Sequence, residues 1–476
     1  MINLAAALKR RRLREPDRSS NNESNGTELR DIFEGKDLIF NTLSRLPLES
    51  LMKFKSVCKR WRYLIKYNKH FISLHLTLSR KRLLDENTFM IYPTLPVYRT
   101  ILPIKKFMCF VKDLKFDDNE GGSPSDTNAV VTSHNVTLEG KGISILEPVH
   151  GLICFVKGGA GVFKHRSVLI YNPSTREKTS WIETLTSAAF RNLFGVELVE
   201  DPKRSNTSYH YMSGFGIDLT TNQHKVLCIL KIIKRESKSI VKFISEWCCG
   251  VLTVGENTWR KIEQVPRNTA LGEDCVHVRG SIYWLSDKRL FRKKGVIRVF
   301  DLRSETFRLI EFPNVILDCW KSTKKLQLVH ELAEIDGCLA ILVRDGDDLL
   351  KLWIYNVDKR NSVNDGKWIE ETMQLPCRWD KIQNVAFKAI TGTSLVVIKF
   401  LKEARFSHQF RTEVIQYYDR REKKFYKNSF EILLEPSAGA YSITPFFETL
   451  LPVQSIQMVE NNIEDKLIEI DRLEGN

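Results

Sequence analysis

"RGSIYWLSDKRLFRKKGVIRVFDLRSETFRLIEFP", residues 279–313, carries the unit from which most of the chain is built. A Gly precedes a short strand-like run, a second run follows, an Asp marks a turn, and an aromatic stands beyond it. Looser copies follow the same order: "HGLICF…VLIYNPSTREKTSW" from His150 and "DGCLAILV…LKLWIYNVD…KW" from Asp336. "TGTSLVVI…VIQYYDRREKKF" from Thr391 is a third, and "CGVLTVGENTWRKIEQVP" from Cys249 matches the second half. The runs are rich in β-branched and aromatic residues and are separated by polar turns, the signature of strands. Further runs of this kind stand at 90–95 and 225–233. Asn172, Asp301, Asn356 and Asp419 sit where hairpins end, since short polar side chains bond their own backbone there. A multi-strand unit repeating every ~40–60 residues predicts a large antiparallel all-β domain of β-propeller-like blades. Its extent is read as residues 80–452, with the number of blades open.

Ahead of the repeats the period is helical. From Leu48 the stripe runs through Leu51, Phe54, Val57 or Cys58, Trp61, and Leu64 or Ile65. Pro47 suits the first turn of a helix and Glu49 the positive end of its dipole. Three helices are predicted, at about 37–45, 48–57 and 58–67, within a unit spanning 33–79. So small a bundle buries too little for ample stability, so a partner is expected to cover part of it. Residues 1–32 read as a polar, disordered leader. Residues 453–476 read as an acidic tail.

The chain of 476 residues has 42% apolar and 28% charged residues, an ordinary globular balance. Its formal charge of +15 suits acidic partners, but the 73 Lys and Arg are spread along the chain and form no single nucleic-acid stripe. The ten cysteines contain no C-x-x-C pair and no zinc-like spacing, so no metal or cofactor is expected. They read as buried free thiols of a reducing compartment. The vicinal pair Cys248-Cys249 points to opposite faces of a strand. "GGAG" at 158–161 lacks a nucleotide-binding context and reads as a hairpin loop, as does "VGENTW" at 254–259. His150 and His330 read as structural or surface histidines. With no apolar run of ~18 residues, no membrane span is expected. A cytoplasmic or nuclear location follows, with Lys9–Arg14 ("KRRRLR") as a possible import signal or a solvated basic tail.

"DLIFNTLSRLPLESLMKFKSVCKRWRYLIKYNKHFISLHLTLS" (37–79) resembles the F-box of plant F-box proteins, above all in "VCKRWRYLI". The repeats resemble the F-box-associated domain that follows it in that family, through "HGLICF…LIYNPSTRE" and "FGIDLTTNQHKVL". The resemblance implies a non-catalytic substrate receptor of an SCF-type ubiquitin ligase. The helices would dock on a SKP-type adaptor and through it on cullin, and the β domain would hold a target protein. Carried over by motif position, the adaptor-facing residues are Leu38, Ile39, Leu43, Leu46, Pro47, Leu51, Phe54, Val57, Trp61 and Ile65. Lys59, Arg60, Arg62 and Lys66 fall between them as a solvated face. The family's opening Leu-Pro falls at Glu34-Gly35 here, a departure expected to weaken adaptor binding, with Ile32-Phe33 as substitutes in a shifted register. Two other readings are an F-box protein acting without ubiquitination and a basic propeller-like protein binding nucleic acid or glycan.

Overall fold

The computed structural model describes residues 38–453, apart from positions 87, 257 and 264 and sixteen segments: 94–103, 113–129, 139–142, 158–166, 184–206, 236–242, 266–270, 287–295, 317–328, 346–347, 357–366, 376–381, 390–393, 403–410, 427–429 and 435–440. The basic motif at Lys9–Arg14, the Glu34-Gly35 departure, "GGAG" and nearly all of the tail lie outside the described residues, as does the side chain of His330.

Three helices form where the stripe predicts them, at 38–44, Leu48–Phe54 and Lys59–Tyr67. A fourth, Lys69–Glu86, runs past residue 79 into the stretch read as the start of the β domain. Two polar side chains start the last two helices. The Cys58 thiol accepts from the Trp61 N–H at 3.4 Å, and Asn68 Oδ1 accepts from the Phe71 N–H at 2.8 Å. Each satisfies a first-turn donor that has no partner within its own helix.

The β domain is a propeller. Among the described residues the strands form six antiparallel sheets of four or five strands, succeeding one another in chain order. The sheets pack face to face through apolar clusters that straddle neighbours. One joins Val168 and Ile170 to Phe215 and Val226, another joins Val299 to Ile341, and another joins Leu352 to Ile398. Central strands are therefore covered on both faces, and Ser167–Asn172 is buried at every position. Outer strands such as Lys367–Gln374 bury only Met373, which explains why they show no apolar run in the sequence.

Ring closure is non-local. The strand Tyr441–Pro445 becomes the innermost strand of the first sheet and pairs antiparallel with Phe89–Pro93, Ile443 opposite Ile91. The first blade is thus assembled from both ends of the domain.

Two turn types make the hairpins at one end of the ring. His150-Gly151, Arg279-Gly280 and Asp336-Gly337 have positive φ at both positions, the tight turn whose twist suits a hairpin. In the other type an Asp or Asn side chain accepts from backbone N–H groups two and three residues on. Asn172, Asp218, Asp301 and Asp419 all do so, each followed at the fourth position by a residue with φ of 53–61°. The sequence predicts this role for Asn172, Asp301 and Asp419; Asp218 is a further case. Because neighbouring strands alternate direction, the connections from second to third strands leave at the opposite end. Their flanking positions include Arg235 and Phe243 in the third sheet, and Ser286 and Val296 in the fourth.

Candidate functional site

The helices enclose a small core of Leu43, Leu48, Leu51, Ile65, Phe71 and Ile72. The ten residues assigned to an adaptor divide by depth. Leu43, Leu51 and Ile65 are buried and support the surface from beneath. Ile39, Leu46, Phe54 and Trp61 are partly buried against that core, with the Phe54 and Trp61 rings edge to face at 5.4 Å. Leu38, Pro47 and Val57 are exposed, Leu38 at 68% and Val57 at 53%. Leaving two aliphatic side chains so open forgoes ~1.5–3 kcal/mol each of burial energy. Lys59, Arg60 and Arg62 are solvated and Lys66 is partly covered. The long fourth helix holds the Leu46-Pro47 corner: His75 Nε2 meets the Leu46 carbonyl at 3.2 Å, and Arg82 donates to the Arg45 carbonyl at 2.8 Å.

The core of this helical unit is completed from the far end of the chain. After Pro445 the backbone leaves the propeller as an extended strap, 446–453, and inserts Leu450 among Leu43, Leu48 and Phe71. The Leu48 N–H donates to the Glu448 carboxylate at 3.1 Å. That helix begins at Pro47 and has no side-chain cap of its own, so the carboxylate supplies one. On its other side the strap is tied to the second blade. Asn172 Nδ2 donates to the carbonyls of Thr449 at 3.0 Å and Leu451 at 2.9 Å, and the Thr449 N–H donates to Ser174 Oγ at 3.2 Å. Asn172 thus shapes its turn with its oxygen and holds the strap with its nitrogen. At Gly151, φ is +80° and a Cβ would stand 2.7 Å from the Phe447 carbonyl oxygen, so only glycine lets the strap approach.

Under the strap and the fourth helix lies a nest of three histidines, one from each of three consecutive blades. The His150 ring stands 6.1 Å from His224 and 6.2 Å from His277. Arg80, from the fourth helix, donates to His150 Nδ1 at 2.5 Å and lies over the Phe447 ring. The Arg80 donor makes Nδ1 the acceptor, leaving the His150 proton on Nε2. Burial, with Arg80 beside it, holds His150 well below the ordinary histidine range. Burial alone is the main cause that brings His224 down to about 3 and His277 to about 4. These rings are neutral packing and hydrogen-bonding groups, as read for His150. No cluster of three His, Cys, Asp or Glu among the described residues has the arrangement of a metal site.

Cys154, Cys228, Cys248 and Cys249 are buried thiols outside any disulfide. Cys248 and Cys249 enter different apolar clusters, on opposite faces of their strand as predicted. Burial raises the Cys248 thiol to about 11 and the others further from reactivity where a shift is seen, in Cys154 and Cys249. The strands on either side of "VGENTW" pair antiparallel, and the Glu256 N–H donates to the Thr253 carbonyl at the start of their connection. No helix among the described residues is long and apolar enough to cross a membrane.

Sequence reading missed Arg80, His224, His277 and Glu448. The one signal available for the strap was its apolar run after the last strand, "PFFETLLPV", which a surface tail would not carry.

The chain matches two known domain families. Residues 36–73 match the F-box domain, and residues 106–437 match the F-box associated beta propeller domain. An F-box protein of Arabidopsis thaliana is 27% identical over 75% of this chain and 76% of its own length. An F-box/kelch-repeat protein of the same organism is 26% identical, over 75% of this chain and 73% of its own. Among solved structures, the β-propeller domain of the Trilobed protease from Pyrococcus furiosus is similar at a TM-score of 0.27 and 10% identity, covering 72% of this chain and 97% of that one. The chain belongs to the family of F-box proteins that carry an F-box-associated β-propeller domain.

Proposed function

We propose that the chain is the substrate-recognition subunit of an SCF-type ubiquitin ligase, its helices docking on a SKP-type adaptor and its propeller holding a target protein. One observation carries the reading. Leu38, Pro47 and Val57 stand uncovered on a helical unit whose core the strap has already completed, and bulky apolar anchors of this kind dominate interface energy. The chain performs no covalent chemistry in this role. Its mechanism is proximity: it raises the effective concentration of target lysines near a ubiquitin-charged enzyme brought by the adaptor and cullin. The strap matters here because a target held by the propeller keeps a fixed orientation only if the helices do not swing.

The test is co-purification of the full chain with a SKP-type adaptor, beside Leu38→Glu/Val57→Glu. Wild type should bind stoichiometrically. The double variant should fold normally and lose the adaptor, because both positions are exposed and support no core. A folded wild-type chain that leaves the adaptor unbound would overturn the reading.

A further inference from the structure

Between the third and fourth blades a cation is buried with no counter-charge among the described residues. Arg298 is 2% exposed, on the strand Val296–Asp301. Neither Nε nor Nη2 has a hydrogen-bond partner, and no carboxylate among the described residues pairs with the side chain. Such a group is costly to bury, since these two donors lose their water and gain no hydrogen bond in exchange. The two orphaned donors lie along one edge of the guanidinium and point the same way, forming a fork that matches the two oxygens of a carboxylate or phosphate.

The surroundings repeat the pattern. Trp284 stands opposite Arg298 in the sheet, and its indole N–H is also buried and unpaired. The Trp247 ring, from the third blade, lies 5.6 Å from the guanidinium, and its N–H is unpaired as well. Lys231 Nζ lies 5.0 Å from the same ring and adds a second positive charge. Arg298 is two residues from Val296 and Trp247 four from Phe243, where the second-to-third-strand connections leave the ring. The group therefore sits toward the end away from the helices and the histidine nest.

We infer that Arg298, with the indole N–H groups of Trp247 and Trp284, forms an oxyanion-binding site between the third and fourth blades, taking a carboxylate or phosphate group that enters from the end away from the helices. Trp247 is itself only half-buried, so entry calls for movement of that ring and leaves the β ladder intact. The site does not depend on adaptor docking.

The experiment is thermal unfolding of the full chain in inorganic phosphate, in acetate and in chloride, at matched ionic strength. Wild type should show a saturable rise in midpoint with phosphate, acetate or both, over chloride; which of them acts names the ligand chemistry. Arg298→Met should lose the rise, with its midpoint in chloride equal to or above that of wild type, because the buried charge is gone. Arg298→Lys keeps the charge and loses the fork, and should weaken apparent anion affinity ~10-fold or more. It carries the test alone if the methionine variant does not fold. Arg303→Met, at an exposed turn position, should respond as wild type. A wild-type midpoint identical in all three salts would overturn the site, and so would an Arg298→Lys response equal to wild type.

Discussion

The backbone N–H of Leu48 and the carboxylate of Glu448 meet at 3.1 Å across 400 residues of chain. Through that bond a helix near one end of the sequence is capped by the segment that has just closed the propeller at the other. The helical unit and the ring are thereby one structure.

Removing this cap should loosen the helices without disturbing the blades. Glu448→Ala is expected to destabilise the helical unit by about 1–2 kcal/mol, and Glu448→Gln, which keeps an acceptor and loses the charge, by about half as much. Hydrogen exchange would read this directly, as faster exchange of the 48–54 amides with unchanged protection in Ile282–Leu285. Equal protection of both regions in wild type and Glu448→Ala would show that the bond contributes nothing.

Leu450→Ala tests the strap's other contribution. The side chain is buried in the helical core, and truncating a buried leucine costs ~2–5 kcal/mol. In limited proteolysis the variant should release the N-terminal helices from an intact propeller. A cleavage pattern like that of wild type would mean that the core closes without the strap.

The histidine nest should make stability depend on pH below neutrality. Folding lowers the affinity of His224 and His277 for protons, to about 3 and about 4, from an ordinary value near 6.5. The unfolded chain therefore binds more protons across that interval. Their contribution is fully present above pH 6.5 and is lost as pH falls from there toward about 4 for His277 and about 3 for His224, by at most ~1.4 kcal/mol per unit for each ring. His150 acts in the same direction, with Arg80 reinforcing it. Denaturant titrations from pH 7 to 4 should show this fall, and His224→Asn should flatten it by about one proton. An unchanged slope in that variant would place the acid sensitivity elsewhere.

Depth within the helical unit should separate folding from docking. Leu51→Ala, at a fully buried position, should lower the unfolding midpoint and cost ~2–5 kcal/mol. Val57→Glu should leave the midpoint within the ~0.5 kcal/mol range of ordinary surface changes while reducing adaptor capture. Circular dichroism melts read the first effect and a pull-down the second. A melt of Val57→Glu as low as that of Leu51→Ala would show that this residue belongs to the core.

Much of this protein is written locally. Short apolar runs rich in β-branched and aromatic residues in Ser281–Ser286 and Val296–Asp301 specify strands, Gly151, Gly280 and Gly337 specify tight hairpins, and the Asn172, Asp301 and Asp419 side chains shape their own turns. The stripe from Leu48 to Ile65 likewise specifies helices with one apolar face. Each of these depends on interactions within a few residues, so each is legible in the chain before it folds. Which stripe residues are core and which are open was decided on folding, because that depends on what packs against each, Leu450 from the far end of the chain included. Folding also decided that Tyr441–Pro445 completes the first blade, that Glu448 caps Leu48, that Arg80 meets His150 in a nest of histidines drawn from three blades, and that Arg298 is buried with its Nε and Nη2 unsatisfied. These pairings join residues far apart in the chain, and no periodicity or turn chemistry records which distant surface a side chain will meet when the ring closes.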